Sequence, residues 1–350
     1  MSKSKKTLAL LIVLLLVGAA QSFAQTVPPA TPEQVNKLIA VLKSDASHKE
    51  KADACRQLGV VGTKEAVGPL AALLGDEKLS HMARYALEPM PDPAVDDALR
   101  DALGKLKGRP LVGVIGSIGV RRDAKAVGPL AGMLKAPDAD VARAAARALG
   151  SIGNRRAARA LQRALPGAPA GNQLAVCEGL FRCAEAIAAR GRGGRAVEIY
   201  DQLRSTKAAH QVRGGALRGA ILARGGDGLA LLQQHLRSDD YILFSAAVQT
   251  SLEIPGGEIT KALTSALKGL PADNQILIIG ALGKRADPSA LPTLFAAAKG
   301  GEKSVRIAAI RAMPQIGHAS AKPVLEALLT DADGEISRAA KESIAAFQDS

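Results

Sequence analysis

DADVARAAARALGSIGNRRAARALQRALP, residues 138–166, reads as two short helices meeting at a tight turn. Val141, Ala144, Ala145, Ala148 and Leu149 recur at the three- and four-residue spacing of one helix face, and Ala158, Leu161 and Leu165 do the same in the second half. Gly150, Gly153 and Asn154 interrupt the pattern. Asp138 or Asp140 is placed to cap or charge-complement the first helix, and Asn154 to cap the second after a glycine able to turn left-handed. One such hairpin cannot cover its own apolar faces, so the stretch predicts repetition.

Variants of it fill the chain. A leading helix is expected over 33–44, then pairs at 51–62 with 64–76, HMARYALEPM with AVDDALRDAL, and PLVGVIGSIGV with AKAVGPLAGML. AVGPLA occurs at 66–71 and again at 126–131, 60 residues later, which fits two repeats of about 30. Residues 138–166 are the fourth pair. The fifth is longer, with a glycine and arginine turn, RGRGGR, at 190–195, and four more pairs precede a charged terminal helix at 336–347. Composition agrees: 47% of the 350 residues are hydrophobic but 2% are aromatic and none is Trp, which favours close helix pairs over a sheet.

The motif V-x-R-A-A-x-x-x-L-G at Val141–Gly150 has relatives at Val305–Met313 and Ile336–Ala340. The second helices share A-V-x-P-L, and Pro69, Pro129, Pro292 and Pro323 are expected early in them, where a missing N–H costs least. Over nearly all of 33–347 these features resemble HEAT-like repeats, including the variant seen in phycobilin lyase-type families. The resemblance implies an all-α, right-handed α-solenoid of about nine helix pairs plus a terminal capping helix, spanning 33–350 as one array with second helices on its concave side. It also implies a binding scaffold, since only a few members of such families are enzymes.

The N-terminus predicts export. Lys3, Lys5 and Lys6 precede the apolar run 7–20, and Ser22, Phe23 and Ala24 surround a cleavage point, so 1–24 reads as a signal peptide and 25–32 as a linker. The run is shorter than the roughly 20 residues of a comfortable span, with an uncleaved anchor as the other reading. The expected location is periplasmic or secreted. Cys55, Cys177 and Cys183 are odd in number, and Cys177 and Cys183 lie about 9 Å apart along a predicted helix axis on different faces. They read as small buried hydrophobes, with an intermolecular disulfide or a reactive thiol as alternatives.

No local signature of catalysis stands out, and no cofactor is implied. His48, His81, His210, His235 and His318 are scattered without metal-ligand spacing, and Asp96-Asp97 and Asp239-Asp240 read as solvated or capping pairs. Charge is more informative. The formal net charge of +13 falls to +10 without the three N-terminal lysines, and residues 101–240 hold 23 basic against 11 acidic side chains.

At 100° per residue Arg143 and Arg147 point away from the Val141 face and are expected on the exterior, as are Arg56, Arg218 and Arg311 at related positions. Arg155, Arg159 and Arg163, four apart, form a basic stripe on the second helix. Arg121 and Arg122 before it, with Arg192 and Arg195 after it, extend the stripe to neighbouring repeats. The expected partner is a protein with an acidic surface or an anionic envelope polymer. Missing stacking aromatics and the export signal disfavour nucleic acid. An enzyme or enzyme accessory, lyase-like or carbohydrate-processing, and a general polyanion binder stand as the alternatives.

Overall fold

The computed structural model describes residues 31–347, so the expected signal peptide and most of the linker lie outside the described residues. These residues form twenty α-helices joined by turns and short 3-10 segments, with no strand among them. Helix α1 (Pro32–Lys43) leads. Nine pairs follow: α2 (His48–Val61) with α3 (Lys64–Ala71), α4 (Ser80–Leu87) with α5 (Pro93–Leu103), α6 (Gly108–Arg121) with α7 (Val127–Met133), α8 (Ala139–Ile152) with α9 (Arg155–Ala164), and α10 (Ala170–Ala188) with α11 (Gly193–Ser205). The series continues through α12 (His210–Ala223) with α13 (Gly228–His235), α14 (Tyr241–Ser251) with α15 (Gly257–Ala266), α16 (Ala272–Arg285) with α17 (Leu291–Lys299), and α18 (Lys303–Ile316) with α19 (Lys322–Ala327). Helix α20 (Gly334–Ala346) ends it.

By packing, the chain divides within α5 into two compact units, Met1–Ala98 and Leu99–Ser350. In the first, Thr31 and Gln34 form a capping box on α1, and Ser47 and Glu50 form another on α2. Cys55, Leu58, Leu70 and Leu87 are wholly buried and supply its core. Pro69 departs from expectation. It lies inside α3 rather than in its first turn, because α3 begins as regular helix at Lys64, whereas the second helices α7, α13, α17 and α19 are preceded by a 3-10 turn. Thr63 makes no cap bond to the backbone there; its hydroxyl donates to Glu65 at 2.5 Å. Pro292 and Pro323 do occupy the first turns of α17 and α19.

In the second unit the first helices α6, α8 and α10 stack in succession, as do α16, α18 and α20. The fifth pair interrupts this row, and α12 rests mainly on α11 rather than on α10. Within α8 and α9 most of the predicted face is buried: Val141, Ala145, Ala148, Leu149, Ala158 and Leu161 are in the core, as is Leu165 just beyond α9, whereas Ala144 is only half-buried and Ala142 and Ala146 are buried instead. Asp138 is the cap of α8, accepting from the backbone N–H of Asp140 and Val141, while Asp140 pairs with Arg143 instead.

One turn recurs between first and second helices. Arg122, Gly153, Ala286 and Gly317 adopt the left-handed conformation, and the next residue, Asp123, Asn154, Asp287 or His318, accepts a backbone N–H from the following element. Arg122 and Gly153 are 31 residues apart, as are Ala286 and Gly317, so the turn fixes the repeat length. The left-handed residue ends one helix and the short polar side chain opens the next.

Candidate functional site

Helix α9 buries Ala157, Ala158, Ala160 and Leu161, and this leaves Arg155, Arg156, Arg159 and Arg163 exposed. Asn154 accepts from the backbone N–H of Ala157 at 2.9 Å and opens the helix. Helix α11 buries Ala196, Ile199, Tyr200 and Leu203, with exposed Arg192 at its N-cap and exposed Arg195 in its first turn. The two helices are tied by Gln202 Nε2, which donates to the Gln162 carbonyl at 3.2 Å. Arg155 and Arg195 each lie seven residues before the bridging residue of their own helix, so both stand about 10 Å up from the bridge.

This register gathers four of the predicted arginines. The cations of Arg159, then Arg195, and then Arg192 depress the pKa of Arg155 below the ordinary arginine value. An arginine does not give up its proton here, so the shift expresses mutual repulsion. Among the described residues no carboxylate pairs with Arg155, Arg159, Arg192 or Arg195. Neither α9 nor α11 carries an acidic residue in its first turn, so guanidiniums add to the positive ends of two helix dipoles, the reverse of the usual preference.

The exterior arginines behave differently. Arg143 pairs with Asp140 at 2.5 Å within α8, and Arg56 with Asp53 at 2.6 Å within α2. Arg147–Glu178 (3.8 Å) and Arg311–Glu342 (3.5 Å) link α8 to α10 and α18 to α20, and Arg218–Glu253 (2.5 Å) links α12 to the turn just after α14.

The remaining predicted residues do not join the cluster. Arg163 is eight residues beyond Arg155, about 12 Å along α9, and is not among the charges acting on it. Arg121 is half-buried and engaged in its own interactions. Arg122 borders a separate groove of about 580 Å³ across the ends of α6, α8 and α10, together with Val120, Arg182, Glu185 and Arg190. Arg182 was not legible as a site residue because α10 reads as an apolar core helix, while Arg190 opens the RGRGGR turn already singled out in the sequence. Arg190 donates to the Gly153 carbonyl at 3.3 Å, which caps the end of α8.

Chemistry elsewhere is sparse. No group of three metal-ligating side chains converges among the described residues. Cys55, Cys177 and Cys183 are free and buried, and burial pushes their thiols up to about 11, 11 and 12 respectively, away from the reactive thiolate. Asp240 accepts from the N–H groups of Ile242 and Leu243 as the cap of α14 and pairs with Arg213 at 2.5 Å. No described helix is long and apolar enough to cross a membrane.

Comparison with curated proteins returned no match. Among solved structures the chain is similar to the karyopherin Kap121p bound to the extreme C-terminus of the protein phosphatase Cdc14p, at 13% identity and a TM-score of 0.55 over 93% of this chain and 42% of that one. It is similar to a Kap95p complex with RanGDP at 13% identity and a TM-score of 0.54, over 92% of this chain and 50% of that one. The chain thus spans half or less of the length of these karyopherins. A human deoxyhypusine hydroxylase is similar at 18% identity and a TM-score of 0.34, over 84% of this chain and all of that one. Residues 112–180 and 260–345 match HEAT repeats, and the chain is an all-α solenoid that contains them.

Proposed function

We propose that the chain is a non-catalytic scaffold of the cell envelope that binds an acidic protein through Arg155, Arg159, Arg192 and Arg195. The observation that carries this reading is a contrast in pairing: Arg143, Arg147, Arg218 and Arg311 of the first helices have carboxylate partners, whereas these four second-helix and turn arginines crowd together without one. Crowded like charges work against folding, and an anionic partner turns that repulsion into attraction. Location in the envelope is supported by the lysines and apolar run of residues 3–20.

A labelled poly-glutamate peptide titrated into the full chain tests the patch. Arg155→Glu with Arg159→Glu is expected to weaken binding by about tenfold or more, with affinity falling steeply as salt rises. Arg143→Glu with Arg147→Glu is expected to change it little. Equal losses in the two double variants, or no binding at low salt, would overturn the patch as the contact surface. Fractionation of cells expressing the chain tests the location, and recovery in the cytosol alone would refute it.

A further inference from the structure

The arginine patch carries more information than its sign. Around it, the turn between α10 and α11 reads Gly191, Arg192, Gly193, Gly194, Arg195. Gly191 takes a left-handed turn with φ of 74°, and Gly193 and Gly194 then begin α11 with no side chain capping it. A side chain added at Gly194 would meet nothing within 4 Å, so the backbone there lies open. Arg192 and Arg195 flank these two glycines, Arg155 is level with Arg195 by the Gln202–Gln162 register, and Arg159 lies one helical turn nearer that bridge.

The number of donors decides between kinds of anion. One guanidinium fork takes about two of the roughly four acceptor positions of a carboxylate, and the single negative charge would leave most of the charge of four arginines unanswered. A phosphate-type group carries up to two charges at neutral pH and three strong acceptor oxygens arranged in a tetrahedron. It can take forks from several sides at once.

We propose that Arg155, Arg159, Arg192 and Arg195 form a site for a phosphate-type dianion, borne by the acidic partner as a phosphomonoester. The proposal rests on the reading of this patch as the partner site and specifies its chemistry. Phosphate binds between the facing ends of α9 and α11, with Arg155 and Arg195 as opposed forks. Its affinity follows ionisation of the ligand, since the arginines do not titrate: binding strengthens as pH rises through about 6, where the second phosphate proton leaves.

The test uses the full chain and three probes at matched ionic strength: inorganic phosphate, a phosphoserine peptide, and the same peptide with glutamate in place of phosphoserine. Calorimetry is expected to show the phosphoserine peptide binding at least about tenfold more tightly than the glutamate peptide. That preference is expected to be lost in Arg155→Gln with Arg195→Gln, kept in Arg143→Gln, and reduced at pH 5. Inorganic phosphate alone is expected to compete, which distinguishes recognition of the group from recognition of the peptide around it. Equal affinity for the two peptides would overturn the dianion site while leaving the acidic-protein reading intact. Phosphate binding that survives Arg155→Gln with Arg195→Gln would overturn the assignment to this patch. Poly-glutamate binding left unchanged by both Arg155→Glu with Arg159→Glu and Arg155→Gln with Arg195→Gln would instead count against the reading of this patch as the partner site.

Discussion

Gly150 of α8 packs directly on Gly179 of α10, so closely that a Cβ on Gly150 would lie 2.7 Å from the Gly179 Cα. In return, a Cβ on Gly179 would lie 2.7 Å from the Ala146 carbonyl oxygen. Both obstacles are backbone and cannot swing aside, so an added methyl must push the two first helices apart. Gly150→Ala and Gly179→Ala are each expected to destabilise the fold by about 1–3 kcal/mol, against the small gain alanine brings to an open helix site. Chemical denaturation checks this, with Gly116→Ala on α6, where nothing lies within 4 Å, as a control expected to be neutral or stabilising.

Arg285 fastens the turn after α14 from the end of α16. Its guanidinium donates to the carbonyls of Ser251, Ile254 (2.8 Å) and Gly256 (2.9 Å), and its Nε to Thr260 Oγ1 at 3.3 Å. Arg285→Met keeps much of the stem but leaves these acceptors without the donor, and the expected loss is about 1.5–3 kcal/mol. Arg285→Lys should recover part of it, since one ammonium cannot reach all four acceptors in the same geometry. Unfolding midpoints at neutral pH decide the order of the three proteins.

The repeat was legible in the sequence wherever it depends on spacing. The faces of α8 and α9, the left-handed Gly153 and the cap at Asn154 follow from residue type and period, because each local preference agrees with the packing. Two things were not legible. The glycines of α8 and α10 look like weak helix formers until the neighbouring helix is in place, and a left-handed Arg122 has no signature in its own residue type. The arginine stripe was read from four-residue spacing, which brings Arg155 and Arg159 together but gives no register between helices. That register depends on Gln202 meeting Gln162, and it is what selects Arg192 and Arg195 while leaving Arg121, Arg122 and Arg163 apart.

His235 introduces a pH dependence. It is buried at the end of α13 with Nε2 unpartnered, and burial, helped by Arg204 and opposed by Asp240, holds its pKa below the ordinary value of 6.5. The unfolded chain therefore takes up this proton at a higher pH than the folded chain does. Stability from His235 is present above about 6.5 and is lost as pH falls from there through the folded pKa. The advantage of the native protein over His235→Gln is expected to be largest above pH 7 and to shrink on acidification; parallel stability curves from pH 7.5 to 5 would refute it. Asp201 and Asp240, whose pKa values are lowered, add their own loss further into acid, in both proteins alike.

Repulsion within the arginine patch gives a signature that ordinary surface charge would not. Arg155 and Arg159 are one helical turn apart, and Arg192 and Arg195 lie at the start of the adjoining helix, with no carboxylate among them. Arg159→Gln removes one member of this set without touching the buried face of α9. At low salt the variant is expected to melt at the same temperature as the native protein or slightly higher, whereas Arg218→Gln, which breaks the pair with Glu253, should melt slightly lower. Salt screens both effects, so the gap between the two variants should close as ionic strength rises above about 0.15 M. A lower melting temperature for Arg159→Gln at low salt would mean that its charge supports the fold, and the case for a patch held ready for an anion would fail with it.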